Sequence, residues 1–171
     1  MGRAFVSFLK SSEVIVGRDM RLSSPAIKNY LLRGLTEQGA DVIDIGMVST
    51  DQYYYACATF NKPGLMVTAS HNPPQYCGFK MVRDMPYLLS GNSGIGDLRH
   101  IVEQDYFSEP TRMGTVRELD LQDGFVDKVL SIVDHASIAP LKVIVDTGNG
   151  MVGPSLERVF DRLPVDLTGL Y

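Results

Sequence analysis

The 171-residue chain contains no tryptophan, two cysteines and three histidines. Cys57 and Cys77 are too few for a disulfide framework in a chain of this length, which excludes a stapled secreted scaffold. Basic residues are not in excess. Sixteen Lys and Arg stand against twenty Asp and Glu, for a net charge of −4, so the footprint of a nucleic-acid binder is missing. No apolar run approaches the ~20 residues that a membrane-spanning helix needs. Nor does the start read as a signal peptide, because Met1-Gly2-Arg3 precedes only a short apolar stretch, residues 4–9. These absences point to a cytoplasmic protein with neither a membrane nor a nucleic acid as partner. What is present, 44% hydrophobic and 21% charged residues, is ordinary for a globular protein. The length suffices for one domain and a piece of another.

Strand and helix patterns alternate along the chain. Residues 4–9 read as the end of an amphipathic helix, and Glu13-Val14-Ile15-Val16-Gly17 as a buried strand. Ser23 and Ser24 before Pro25 predict a hydroxyl-capped helix start, with Ile27, Leu31, Leu32 and Leu35 on one face. A strand is expected over 41–46, then a helix over 50–60 whose Tyr53, Tyr54 and Tyr55 serve packing. Residues 64–68 predict the next strand, and 79–83 an antiparallel return. A helix over 95–107 and a linker over 110–115 follow.

A second unit opens with an amphipathic segment, 121–133, carrying Phe125, Val129, Ile132 and Val133 on one side. A buried strand (141–146), a helix (154–163) and the start of another strand at Pro164 complete it. The pattern is that of an α/β protein, a mixed, largely parallel sheet with helices on both sides. The units are expected at 1–115 and 116–171. The second reads as incomplete and poorly stable, with an exposed edge at 164–167 that invites self-association.

The chemistry concentrates between two short apolar runs. Leu65-Met66-Val67 gives way to Thr68-Ala69-Ser70-His71-Asn72-Pro73-Pro74, and Phe79-Lys80-Met81-Val82 follows. Asn-Pro and Pro-Pro forbid a helix between the runs. A hydroxyl, an imidazole and an amide therefore sit on a tight loop at a strand end, the edge where open α/β sheets bind ligands. Ser70 and Asn72 would equally serve as turn caps. His71 fits either a turn histidine or a donor to phosphate, and Lys80 could simply point to solvent. Arg18 and Arg21 stand at the preceding strand end. Arginine suits phosphate through its bidentate fork. Arg18 could instead pair with Asp19, and Arg21 reads as structural.

This loop resembles the catalytic serine loop of the α-D-phosphohexomutases, a family that includes phosphomannomutase, phosphoglucomutase and phosphoglucosamine mutase. Residues 68–73 match its T-A-S-H-N-P signature in full, and Gly78-Phe79-Lys80 matches the G-F-K that follows. The family usually has Asn before that glycine, where this chain has Cys77. The resemblance implies a phosphoryl group carried by Ser70 and passed between O1 and O6 of a hexose phosphate through a hexose 1,6-bisphosphate. It implies an active-site place for Lys80 as general acid or base, catalytic help from His71, and phosphate contacts from Arg18 and Asn72. It also implies Mg²⁺, bound to the Ser70 phosphate and to aspartates of a D-G-D-x-D-R loop. That loop does not occur in this sequence, nor does the family's upstream Y-D-I-R-G segment. The chain is accordingly expected to be an inactive fragment of a four-domain isomerase.

One rival pattern remains. Gly148-Asn149-Gly150-Met151-Val152-Gly153 is a G-x-G-x-x-G between a strand and a helix, with Asp166 at the distance of a ribose-binding acid. It predicts a dinucleotide-binding half-domain. The bland reading is a glycine turn that lets helix and strand pack closely, and D-x-G-N-G also opens the second domain of the phosphohexomutases.

Overall fold

The computed structural model describes residues 1–170. The chain forms two compact units, Met1–Leu119 and Asp120–Tyr171. The first is built from α1 (Gly2–Leu9), β1 (Glu13–Arg18), α2 (Ser24–Glu37), β2 (Asp41–Met47), α3 (Thr50–Phe60), β3 (Gly64–Val67), β4 (Phe79–Asp84), β5 (Tyr87–Leu88), α4 (Ile95–Glu103) and β6 (Val116–Glu118). The six strands make one sheet in the order β5-β4-β3-β1-β2-β6. β1, β2, β3 and β6 run parallel, whereas β4 returns antiparallel beside β3 and β5 beside β4.

Strand alternation sorts the core into two layers. Val14, Val16, Leu65, Val67 and Met81 lie in one cluster with Phe5 of α1, Leu31 and Leu35 of α2, and Leu98 of α4. Residues one step out of phase, Ile15, Met66 and Val82, are buried as well. Such continuous burial is what a parallel strand covered on both faces requires. The other layer is α3. A Cβ at Gly64 would lie 2.6 Å from the Cys57 sulfur and 2.8 Å from the Tyr53 ring, so glycine is what lets α3 sit directly on β3. Burial in this layer pushes the Cys57 thiol up to about 12.

Several boundaries differ from the sequence reading, each for a local reason. β6 pairs with β2 within the first sheet, so the first unit runs through Leu119 rather than ending at 115. The hydroxyl cap of α2 is not made: its N-cap, Ser23, has a helical rather than extended backbone, and Ser24, the first helical residue, donates its hydroxyl to Asp19 at 2.5 Å. α4 stops at Glu103, four residues short of the expected end.

The second unit contains α5 (Gln122–Leu130), a 3-10 turn (His135–Ser137), β7 (Leu141–Asp146), α6 (Gly153–Phe160) and β8 (Val165–Leu170). β7 and β8 form a two-stranded parallel sheet. α5 and α6 are joined by Arg158–Asp123 and Arg162–Asp127 ion pairs at 2.7 and 2.5 Å. α5 buries Val126 and Leu130 with the expected Phe125 and Val129 half-buried beside them, whereas Ile132 and Val133 lie exposed beyond its end. β7 is not the buried strand expected. Val143 and Val145 are half-buried while Ile144 is 71% exposed, because only one face of so small a sheet is covered. No helix among the described residues is long and apolar enough to cross a membrane.

Candidate active site

The parallel strands β1 and β3 end side by side at Arg18 and Val67. The chain leaves β3 there and returns as β4, with Val67 opposite Phe79. Thr68 carries the ladder one step further, its N–H donating to the Gly78 carbonyl at 3.0 Å. The intervening residues form consecutive turns. The backbone N–H of Asn72 donates to the Ala69 carbonyl at 3.0 Å, its side-chain amide donates to the same oxygen at 2.8 Å, and Tyr76 N–H donates to Pro73 O at 3.0 Å. The Asx and Pro residues legible in the sequence thus shape the loop.

Ser70 occupies the left-handed region, φ 52°. A side chain there costs free energy and persists only where surroundings hold it, and such residues cluster at functional sites. The local tie is its own N–H, which donates to the Thr68 hydroxyl at 3.0 Å. Thr68 is itself buried.

The larger tie is Arg21. Its Nη2 donates to the carbonyls of Ser70 (2.7 Å) and Asn72 (2.6 Å), and its Nη1 to those of Pro73 (3.0 Å) and Tyr76 (3.4 Å). Its Nε pairs with Asp19 at 3.2 Å. Asp19 is buried and also accepts from Ser24 Oγ and from the Arg21 N–H. The loop backbone is therefore wrapped around a guanidinium, with carbonyls turned inward. Neither Asp19 nor the loop-binding role of Arg21 was visible in the sequence as part of the site. The only signal was an Asp two residues before an Arg at a strand end.

A cavity of ≈ 470 Å³ opens beside this loop, walled by Asp19, Arg21, Ser23, Ser70, Asn72 and Pro74, with Met20 and Leu22 completing the lining. Of the expected site residues, Ser70 and Asn72 line it, and Arg18, His71 and Lys80 do not. Arg18 donates from Nη1 to the Asp19 carbonyl at 3.0 Å. In the pairing register Arg18 shares a row with Val67 and Phe79, while Lys80 shares the next row with Met66 and Gly17. Adjacent rows point to opposite faces, so Arg18 and Lys80 leave the sheet on different sides. His71 is exposed on the loop.

No group of three or more His, Cys, Asp or Glu side chains among the described residues could hold a metal ion. These residues therefore do not fit a Mg²⁺ ion.

The geometry of the glycine turn in the second unit does not favour a dinucleotide site. Asp166 pairs with Lys142 near the start of β7, whereas the turn follows Asp146 at its end. Four residues of strand, about 13 Å at ~3.3 Å each, separate the acid from the glycines. The turn is closed on itself by Gly148 N–H to Asp146 (2.8 Å) and Gly150 N–H to Thr147 O (2.8 Å). A Cβ at Gly150 would lie 2.9 Å from that same carbonyl, which accounts for the glycine without any ligand.

Comparison with known proteins agrees with the loop. Residues 1–105 match the family model described as phosphoglucomutase/phosphomannomutase, alpha/beta/alpha domain I. A phosphomannomutase of Escherichia coli is 40% identical over 168 residues, covering 95% of this chain and 36% of that protein. A phosphomannomutase of Klebsiella pneumoniae is 40% identical over 132 residues, 74% of this chain and 83% of that sequence. A crystal structure of a phosphoglucomutase/phosphomannomutase family protein from Burkholderia thailandensis superposes with a TM-score of 0.82 at 35% identity, over 99% of this chain and 38% of that one. The chain thus spans little more than a third of the length of several relatives it matches.

Proposed function

This chain belongs to the phosphoglucomutase/phosphomannomutase family, and from that premise we propose that it supplies the nucleophile of a phosphohexomutase, Ser70. The observation that carries the reading is the conformation of Ser70, held at positive φ with its carbonyl bound inward and its residue lining an open cavity.

In the proposed reaction, phosphorylated Ser70 gives its phosphoryl group to the free hydroxyl of a hexose phosphate. The bond from phosphorus to Ser70 Oγ breaks as one to the sugar oxygen forms. The hydroxyl proton passes to a base, and Ser70 Oγ ends protonated. The hexose 1,6-bisphosphate then turns over and returns its other phosphoryl group to Ser70. Protein assistance in such transfers is mostly positioning and charge stabilisation. Asn72, which lines the cavity with Ser70, is the proposed phosphate contact; Lys80 is proposed as the proton carrier and Arg18 and His71 as further phosphate and sugar contacts, all three from outside the cavity lining. The substrate is a hexose phosphate of the mannose or glucose type, the names of the relatives favouring the former. A bound Mg²⁺ would supply charge neutralisation at the phosphate. Its carboxylate ligands are not among the described residues, so no step here depends on it.

The test is kinetic. In a complete mutase carrying this chain, Ser70→Ala lowers kcat by about 10³-fold or more with the fold intact. Near-normal turnover in that variant would overturn the assignment.

A further inference from the structure

Four backbone carbonyls of one loop converge on a single side chain, and the geometry points to Arg21, braced by Asp19, as the positioning residue that keeps Ser70 in its positive-φ conformation. The inference rests on the proposed role of Ser70 for its functional meaning, but not for its structural content.

A guanidinium has five N–H donors. At Arg21 Nε–H faces Asp19 Oδ2, and the two pairs on Nη1 and Nη2 face Pro73 O, Tyr76 O, Ser70 O and Asn72 O. Both terminal nitrogens are thus committed to two carbonyls each, and Nε is ion-paired with Asp19. Arg21 therefore does not present a vacant fork to a phosphate, and its cation acts on the loop instead. The four carbonyl acceptors lie 49 to 55 residues away in sequence, so these bonds add long-range ties to the loop's own turns.

The brace runs back to the sheet. The Asp19 N–H donates to the Val67 carbonyl at 3.0 Å, which joins the residue after β1 to the last residue of β3. Its carboxylate is held by Ser24 Oγ at 2.5 Å and by the Arg21 N–H at 3.1 Å. The order of support is sheet, Asp19, Arg21, loop. Turning the carbonyls at 70 and 72 inward fixes the Ser70–His71 and Asn72–Pro73 peptide planes. It sets where the Ser70 residue meets the cavity. Lysine cannot replace this, because three donors on one ammonium cannot reach five acceptors in a planar fan.

Arg21→Lys, Arg21→Gln and Ser24→Ala test the inference. In the chain itself, NMR reads the Ser70 φ angle from scalar couplings and the strong intraresidue amide–Hα NOE of a positive φ. Hydrogen exchange reads residues 69–76, with the amides of Val14, Val16 and Leu65 as the control for an intact core. In both Arg21 variants Ser70 leaves positive φ and the loop exchanges about tenfold faster or more, while the control amides keep their protection. Ser24→Ala, which removes only the brace on Asp19, produces a smaller increase. Retention of positive φ and unchanged loop exchange in a folded Arg21 variant would overturn the inference. If neither Arg21 variant folds, unchanged exchange in Ser24→Ala does so.

In a complete mutase, Arg21→Lys lowers kcat by about 10–100-fold with KM within about threefold, as misplacement of a nucleophile predicts. A change confined to KM would mark Arg21 as a ligand-binding group and also overturn the inference. Should Ser70→Ala prove active, the mutase reading falls while the conformational result stands or falls on its own.

Discussion

The Tyr53 hydroxyl of α3 accepts a 3.1 Å hydrogen bond from the backbone N–H of Val82 in β4. It also donates to the Lys80 carbonyl at 3.3 Å. A helix on one face of the sheet thereby grips the strand that returns from the serine loop. Tyr53 is fully buried, and burial raises its phenol well above the ordinary tyrosine value, so the group is a neutral hydroxyl across the working pH range.

Tyr53→Phe removes the hydroxyl and keeps the ring. The loss is expected to be about 1–2 kcal/mol, the cost of breaking buried hydrogen bonds without opening a large cavity. Denaturant unfolding with an unchanged m-value checks it. A stability within error of the parent would show that β4 needs no such grip.

The carboxylate of Asp41 gives a pH signature. The Arg112 guanidinium donates to both its oxygens, at 3.0 and 2.6 Å, and the Thr115 N–H and hydroxyl add two further bonds at 2.8 Å. The Arg112 bonds first, then those of Thr115, hold the Asp41 carboxyl well below its ordinary 3.8. A depressed folded value means that the unfolded chain binds the proton more readily. The contribution is fully present above about pH 4 and is lost as pH falls through the folded value. Because both partners are exposed, the effect on global stability is small. An NMR titration of the Asp41 carboxyl carbon places its midpoint below 3.8, and Arg112→Ala moves it upward. A midpoint at or above 3.8 in the parent would contradict the geometry.

Much of the first unit was legible because its signals are local. Val14 to Val16 and Leu65 to Val67 are short apolar runs that only a doubly covered strand explains, and residues 68–73 carry the site as one contiguous string. Arg21 was read as structural, but its partners were not legible, because the carbonyls that accept from it are supplied by a distant loop and no local pattern records that. Ser23 and Ser24 looked like a capped helix start, but Ser23 makes no cap bond and Ser24, already in the first turn, donates its hydroxyl to the buried carboxylate of Asp19. The capping box that Ser49 and Gln52 do form was there to be read as a Ser followed three residues later by Gln. In the second unit the apolar run of β7 suggested burial on both faces. Burial depends on what covers a strand as well as on its own residues, and here one face is bare.

The Gly148–Gly153 turn should not recognise dinucleotides. Calorimetric titration of the chain with NAD and NADP is expected to be flat, since the acid at Asp166 lies at the wrong end of its strand. Micromolar binding abolished by Gly150→Val would contradict this reading of the turn.

The central claim is that the positive-φ residue of the loop is the phosphoryl carrier. Neighbouring hydroxyls offer a built-in comparison. Thr68 is buried and accepts from the Ser70 N–H, while Ser93 donates to the Leu88 carbonyl at 3.0 Å in a separate exposed turn. Of these three hydroxyls, Ser70 alone lines the cavity, where Ser23 is the other hydroxyl. The most direct measurement is peptide mass spectrometry of a complete mutase carrying this chain, after incubation with a hexose 1,6-bisphosphate. A single phosphate on Ser70, absent in Ser70→Ala, is the predicted result. A phosphopeptide mapped to Thr68 or Ser93, or phosphate uptake undiminished in Ser70→Ala, would contradict the account.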